Sequence, residues 1–70
     1  MIDYAWLTQN NIALVRRYEP NAILQPVYNS MYCVEDGNGR RLSGVVTTPY
    51  KAWLEALTLV SNGGSKPNEK

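Results

Sequence analysis

The chain has 70 residues and a mass of 7.9 kDa, which makes it one domain at most. Folding would leave about 4,400 Å² exposed and bury only about 60% of the extended surface, so the core is thin. Apolar types make up 44% and charged types 19%, with net charge +1. That balance disfavours wholesale disorder and lacks the strong basic excess of a dedicated nucleic-acid binder. There is no histidine and only one cysteine. A zinc site, an internal disulfide and histidine-dependent acid–base catalysis are therefore excluded within one chain. No run of 18 apolar residues is present, and no basic n-region with an apolar h-region follows Met1. The expectation is a cytoplasmic chain with no membrane contact.

In chain order, Thr8 is a candidate cap for a helix over Gln9 to Tyr18, ended by Glu19-Pro20-Asn21. Ile12 and Val15 point inward there, with Leu14 and Tyr18 as further candidates. A rival reading makes Ile12 to Arg17 a strand, but alternation is not clean, so helix is preferred. Ile2 to Leu7, with Tyr4, Trp6 and Leu7, either covers the end of the core or extends that helix toward Asp3. Ile23 to Tyr28 reads as an extended segment in which Pro26 removes a ladder donor and favours an edge or a bend.

The hairpin signal is Met31 to Glu35 followed by Arg40 to Val46, with Asp36-Gly37-Asn38-Gly39 as the turn. With a two-residue turn, Met31, Cys33, Leu42 and Val46 share the core face. Tyr32, Val34, Arg41, Ser43 and Val45 then share the other. The last helix is the best specified: Thr48 caps, Pro49 opens, and Asn62-Gly63-Gly64 ends it. Its stripe is Tyr50, Trp53, Leu54, Leu57 and Val60. Ser61 to Lys70, rich in Gly, Ser and Pro and without a large apolar side chain, reads as a tail, leaving residues 1–60 as one domain. The fold class expected is α+β: helix, two- or three-stranded antiparallel sheet with hairpin 31–46, helix, flexible C-terminal tail.

No catalytic constellation stands out among Cys33, the five tyrosines and the acids Asp3, Glu19, Glu35, Asp36, Glu55 and Glu69. Cys33 lacks a histidine to activate it and reads as a small core residue. Asp36-Gly37-Asn38-Gly39 lacks the remaining ligands of a calcium loop, and the glycines fit no phosphate-cradling pattern. The expectation is no enzyme, no cofactor and no metal.

Binding is the alternative. If two helices cover one side of the sheet, the other side presents aromatic, arginine and small polar residues, a composition typical of interfaces. The candidate contacts are Tyr32 and Arg41, then Tyr28 and Arg40. The function expected is a small regulatory protein that docks this face onto a protein partner. In size and make-up the chain is similar to small accessory proteins of phages and other mobile elements, a likeness carried by no motif. The alternative is a nucleic-acid-binding regulator using Arg16, Arg17, Arg40, Arg41 and Lys51. A further alternative is a structural oligomer, and a homodimer burying an edge strand or apolar positions such as Leu59 would assist so small a domain.

Overall fold

The carboxylate of Asp3 sets where the chain becomes helical. Asp3 is extended, and its Oδ1 accepts from the Trp6 N–H at 3.0 Å. It thereby satisfies one of the donors that open every helix. In the computed structural model, which describes residues 1–63, α1 accordingly spans Tyr4–Val15. The Thr8 cap is corrected: its hydroxyl donates to the Tyr4 carbonyl at 2.7 Å inside the helix, and the extension toward Asp3 is what forms. The C-terminal end comes earlier than Tyr18. The Arg17 and Tyr18 N–H groups reach back three residues to Leu14 and Val15, a tightened turn that stops the helix ahead of Pro20.

β1 (Ile23–Tyr28) and β2 (Met31–Glu35) form an antiparallel ladder, turned at Asn29-Ser30 with Ser30 at φ 58°. Its register pairs Ile23 with Glu35, Leu24 with Val34 and Pro26 with Tyr32. Residues 40–46 return along the opposite side of β2 through two bridges, Glu35 with Arg41 and Tyr32 with Val46. The expected 31–46 hairpin therefore forms irregularly, and β2 lies in the middle.

The turn explains the irregularity. Asp36 Oδ1 accepts from the Asn38 N–H at 2.8 Å and the Arg40 N–H at 3.0 Å. The Gly39 N–H donates to the Asp36 carbonyl at 3.1 Å, and Gly39 adopts φ +84°. This is a three-residue loop, Gly37-Asn38-Gly39, a type I turn closed by a left-handed glycine. One more residue than a two-residue turn inverts the parity of the returning segment. Val34 and Leu42, expected on opposite faces, consequently share the core. The bridges then enclose two residues of β2 (Cys33, Val34) but four of the returning segment (Leu42 to Val45), so two residues bulge. The Ser43 hydroxyl replaces a missing carbonyl by accepting from the Val34 N–H at 2.9 Å, while the Leu42 N–H donates to the Val34 carbonyl at 2.7 Å.

α2 (Pro49–Ser61) starts as expected, with Thr48 Oγ1 accepting from the Lys51 N–H at 3.2 Å and Pro49 in the first turn. It ends with Asn62 donating to Thr58 and Gly63 at φ +84°. Ser61, expected to open the tail, is its last residue; residues 64–70 of that tail lie outside the described residues. α2 packs against α1 and both strands, whereas α1 approaches neither strand within 8 Å between Cα atoms. Ala52, Trp53, Ala56 and Val60 are buried and fall within about 100° of one another around the helix, so one broad inner face of α2 serves both neighbours. The expected stripe is corrected accordingly. Leu54 is 40% exposed, Tyr50 is half-buried, and Ala52 and Ala56 take the inner positions because they let neighbours approach closely. Val15, Ala22, Val34 and Leu42 complete the core, with Ile12, Leu24, Val46, Leu57 and Leu59 packed against it.

The chain thus has the α+β architecture of helix, antiparallel hairpin and helix. No helix among the described residues is long and apolar enough to cross a membrane. Asn11 is the one buried polar side chain among them, 9% exposed on the inward side of α1 and without a hydrogen-bond partner there.

Two stability outcomes follow. Val34→Ala should lower the unfolding free energy by about 2 kcal/mol, since a buried branched side chain is removed from the core. Asn11→Leu should raise it by about 1 kcal/mol, since a desolvated amide is replaced by an apolar group of similar size. Urea titration followed by tryptophan fluorescence measures both. An unchanged midpoint for Val34→Ala would mean that this side of β2 is not the core.

Candidate functional site

The four candidate contacts do not form one patch. Tyr28 is 74% exposed beside the Asn29-Ser30 turn, while Arg40 and Arg41 are exposed at the Asp36–Gly39 turn, at the other end of β2. At about 3.3 Å per residue, the length of β2 separates these ends by about 13 Å. Tyr32 is half-buried and shares its face with Val34, toward the core. Arg41 is bridged to Glu35 and lies on the opposite face with Cys33. The expected pairing of Tyr32 with Arg41 fails for the same parity reason that places Val34 inside.

The free edge of the sheet, along β1, lacks one ladder donor. The Tyr32 and Val34 backbone groups point toward the returning segment, where Tyr32 exchanges both bonds with Val46 at 2.7 and 2.8 Å. Their partners in β1, Pro26 and Leu24, therefore aim their own backbone outward. Pro26 has no N–H to offer there, so it blunts the free edge without weakening the inner ladder.

What the fold does assemble is an arginine end. Arg16 Nε donates to the Ala22 carbonyl at 3.1 Å, and its guanidinium lies 5.7 Å from the centre of the Trp53 ring. Ala22 directly precedes the Ile23–Glu35 pair, and Glu35 bridges Arg41. Asn21 also lies against Gly37, where a Cβ would stand 3.0 Å from the Asn21 Cβ. The turn after α1 and the hairpin turn are thus neighbours, so Arg16-Arg17 and Arg40-Arg41 share one end of the molecule. Arg17, Tyr18, Arg40 and Arg41 are exposed there, among the acids Glu19, Glu35 and Asp36. Asp36 is already engaged by two backbone N–H groups.

Cys33 is fully buried, with Arg41 and Glu35 near enough to act on its thiol. Burial pushes its thiol up from the ordinary 9.0, the Arg41 charge opposes this, and Glu35 adds to it; the Sγ donates to Glu35 Oε2 at 3.8 Å. A neutral, covered thiol is a poor nucleophile. No group of three or more metal-ligating side chains is gathered among the described residues.

Two grooves mark the surface of the described residues. One, of about 760 Å³, runs between the N-terminal halves of α1 and α2, beside the edge-on pair of Tyr4 and Tyr50 at 5.0 Å and 70°. The other, of about 610 Å³, lies between the returning segment and α2, where Glu55 Oε1 accepts from the Gly44 N–H at 2.9 Å. The arginine pairs are plain in the sequence, whereas their convergence depends on the fold. A further signal is the absence of any charged residue between Tyr4 and Val15. Comparison with protein-family models, curated proteins and solved structures finds no match to this chain.

The covered thiol sets an expected outcome. At pH 8, Cys33 should react with a maleimide at least tenfold more slowly in the native protein than in urea. Because its pKa is raised on folding, the stability tied to its neutral form is intact below 9.0 and falls as pH increases above that value. Equal labelling rates in the two states would show the cover to be open.

Proposed function

We propose that this is a small non-enzymatic regulatory protein that binds an acidic surface of a protein partner through its arginine end. The observation that carries this reading is the convergence of two arginine pairs, far apart in sequence, at one end of the fold. Arg40 and Arg41 are the leading contacts, because both are exposed at the hairpin turn. Arginine suits such a role, since its planar fork matches carboxylates in two-point contacts. Tyr28 is a separate exposed contact at the far end of the hairpin, and half-buried Tyr32 contributes through packing.

The same convergence gives the second reading, nucleic-acid binding, its only support. Protein is favoured because Glu19, Glu35 and Asp36 lie among the arginines, and α2 carries one cation, Lys51, so neither presents a continuous basic surface.

The test is affinity capture of partners with and without nuclease, followed by titration of the purified partner against Arg40→Glu and Arg41→Glu variants. A stoichiometric protein should survive nuclease, and each reversal should weaken it at least tenfold with α-helical circular dichroism unchanged. Capture that vanishes with nuclease would replace this reading by the nucleic-acid one. Unchanged affinity in both variants would remove the arginine end as the contact.

A further inference from the structure

α1 is the least supported element of the fold. It packs against α2 and approaches neither strand, so the side turned from α2 faces water. At about 100° per residue, Asn11 and Val15 lie on the α2 side and Trp6, Asn10 and Ala13 on the opposite one. The burial agrees: Asn11 and Val15 are buried, whereas Trp6 is 61% exposed and Asn10, Ala13 and Arg17 are also exposed. The whole span from Tyr4 to Val15 is uncharged, with Asp3 just before it and Arg16-Arg17 just after. A solvent-facing helix side normally carries charges; one that lacks them and presents a tryptophan has the composition of an interface centre.

We infer that this face pairs with the same face of a second copy, the two α1 helices running antiparallel across a two-fold axis near Gln9 and Asn10. The argument is self-complementarity. Trp6 and Ala13 are seven residues apart, two helical turns, so an antiparallel copy sets each large side chain over the other's small one. Asn10 then meets its own counterpart at the axis, where two amides satisfy each other. Asp3 of each copy falls opposite the Arg16-Arg17 end of the other, which gives charge complementarity at both ends. Antiparallel helix dipoles add in the same sense. A charged partner finds no complement along this span, whereas a second copy meets no like charge on it.

The helix is about 18 Å long, from 12 residues. With Met1 and Ile2 exposed at its start, each copy offers roughly 500 Å². That is below the roughly 800 Å² per partner of a standard interface, so a dimer in the micromolar range is expected.

Sedimentation equilibrium of the full chain from about 2 to 500 µM tests the inference. The average mass should rise from 7.9 kDa toward twice that value. Trp6→Glu and Ala13→Glu should each weaken association at least tenfold with helical circular dichroism retained. Asp3→Asn keeps a capping side chain but removes the end charge, and Arg17→Glu reverses the other; each should weaken the dimer several-fold, and more so at low salt. A monomer throughout the concentration range overturns the inference, as does a dimer that both Trp6→Glu and Ala13→Glu leave intact. Arg40 and Arg41 take no part in this face, so partner binding there stands or falls separately.

Discussion

The fold depends on one broad inner face of α2, with alanines on it, that both α1 and the sheet can approach. Ala52 and Ala56 are fully buried, and α2 lies between α1 and the sheet, which do not approach one another. In so small a chain this arrangement lets one helix be the core partner of everything else, and Trp53 supplies bulk where the alanines do not. Arg16 closes the arrangement from outside, its guanidinium near the Trp53 ring and its Nε on the Ala22 carbonyl. That joins the end of α1 to the start of β1 without a direct contact between helix and strands. The consequence is that each helix keeps an outer side: Lys51, Leu54, Thr58 and Ser61 are exposed on α2, and Trp6, Asn10 and Ala13 on α1.

Elements whose ends are marked by local chemistry were legible in the sequence. Thr48-Pro49 opens α2, Asn62-Gly63 ends it, and Pro26 marks an edge strand because it cannot donate. α1 was legible only in part, since Asp3 and Thr8 both have the chemistry of a cap. Only the geometry shows that Asp3 accepts the free N–H, while the Thr8 hydroxyl bonds back into its own helix. The inward stripe of α2 was legible at Trp53, Leu57 and Val60, while Leu54 proves exposed and Ala52 and Ala56 take the inner positions. Periodicity ranks positions by side-chain size, and a helix approached closely selects small residues at the contact.

The faces of the sheet turned on a single residue. Asp36-Gly37-Asn38-Gly39 is a turn under any reading, but whether two or three residues bridge the strands decides the side on which every following side chain lies. Asp36 settles it by accepting from both the Asn38 and Arg40 N–H groups, which stabilises the longer loop. Val34 and Leu42 thereby come together inside, and Tyr32 parts from Arg41. The bulge at Ser43 is the local answer to the mismatch this creates further on, with a hydroxyl supplying the acceptor that a regular strand would have provided.

The candidate site was legible as ingredients and not as a place. Arg16-Arg17 and Arg40-Arg41 are plain in the sequence, yet they meet only because β1 pairs with β2 and carries the turn after α1 to the hairpin turn. The net charge of +1 conceals this segregation. Four of the seven basic residues lie at one end, and the span from Tyr4 to Val15 carries none. A charge-rich end and a charge-free helix on one small body favour different kinds of contact: long-range attraction to an opposite charge at the first, close packing at the second. The two meet where Arg16-Arg17 follow Val15 at the end of α1, while Arg40 and Arg41 stand on the hairpin turn, so contact through the hairpin arginines leaves the Trp6–Ala13 face open.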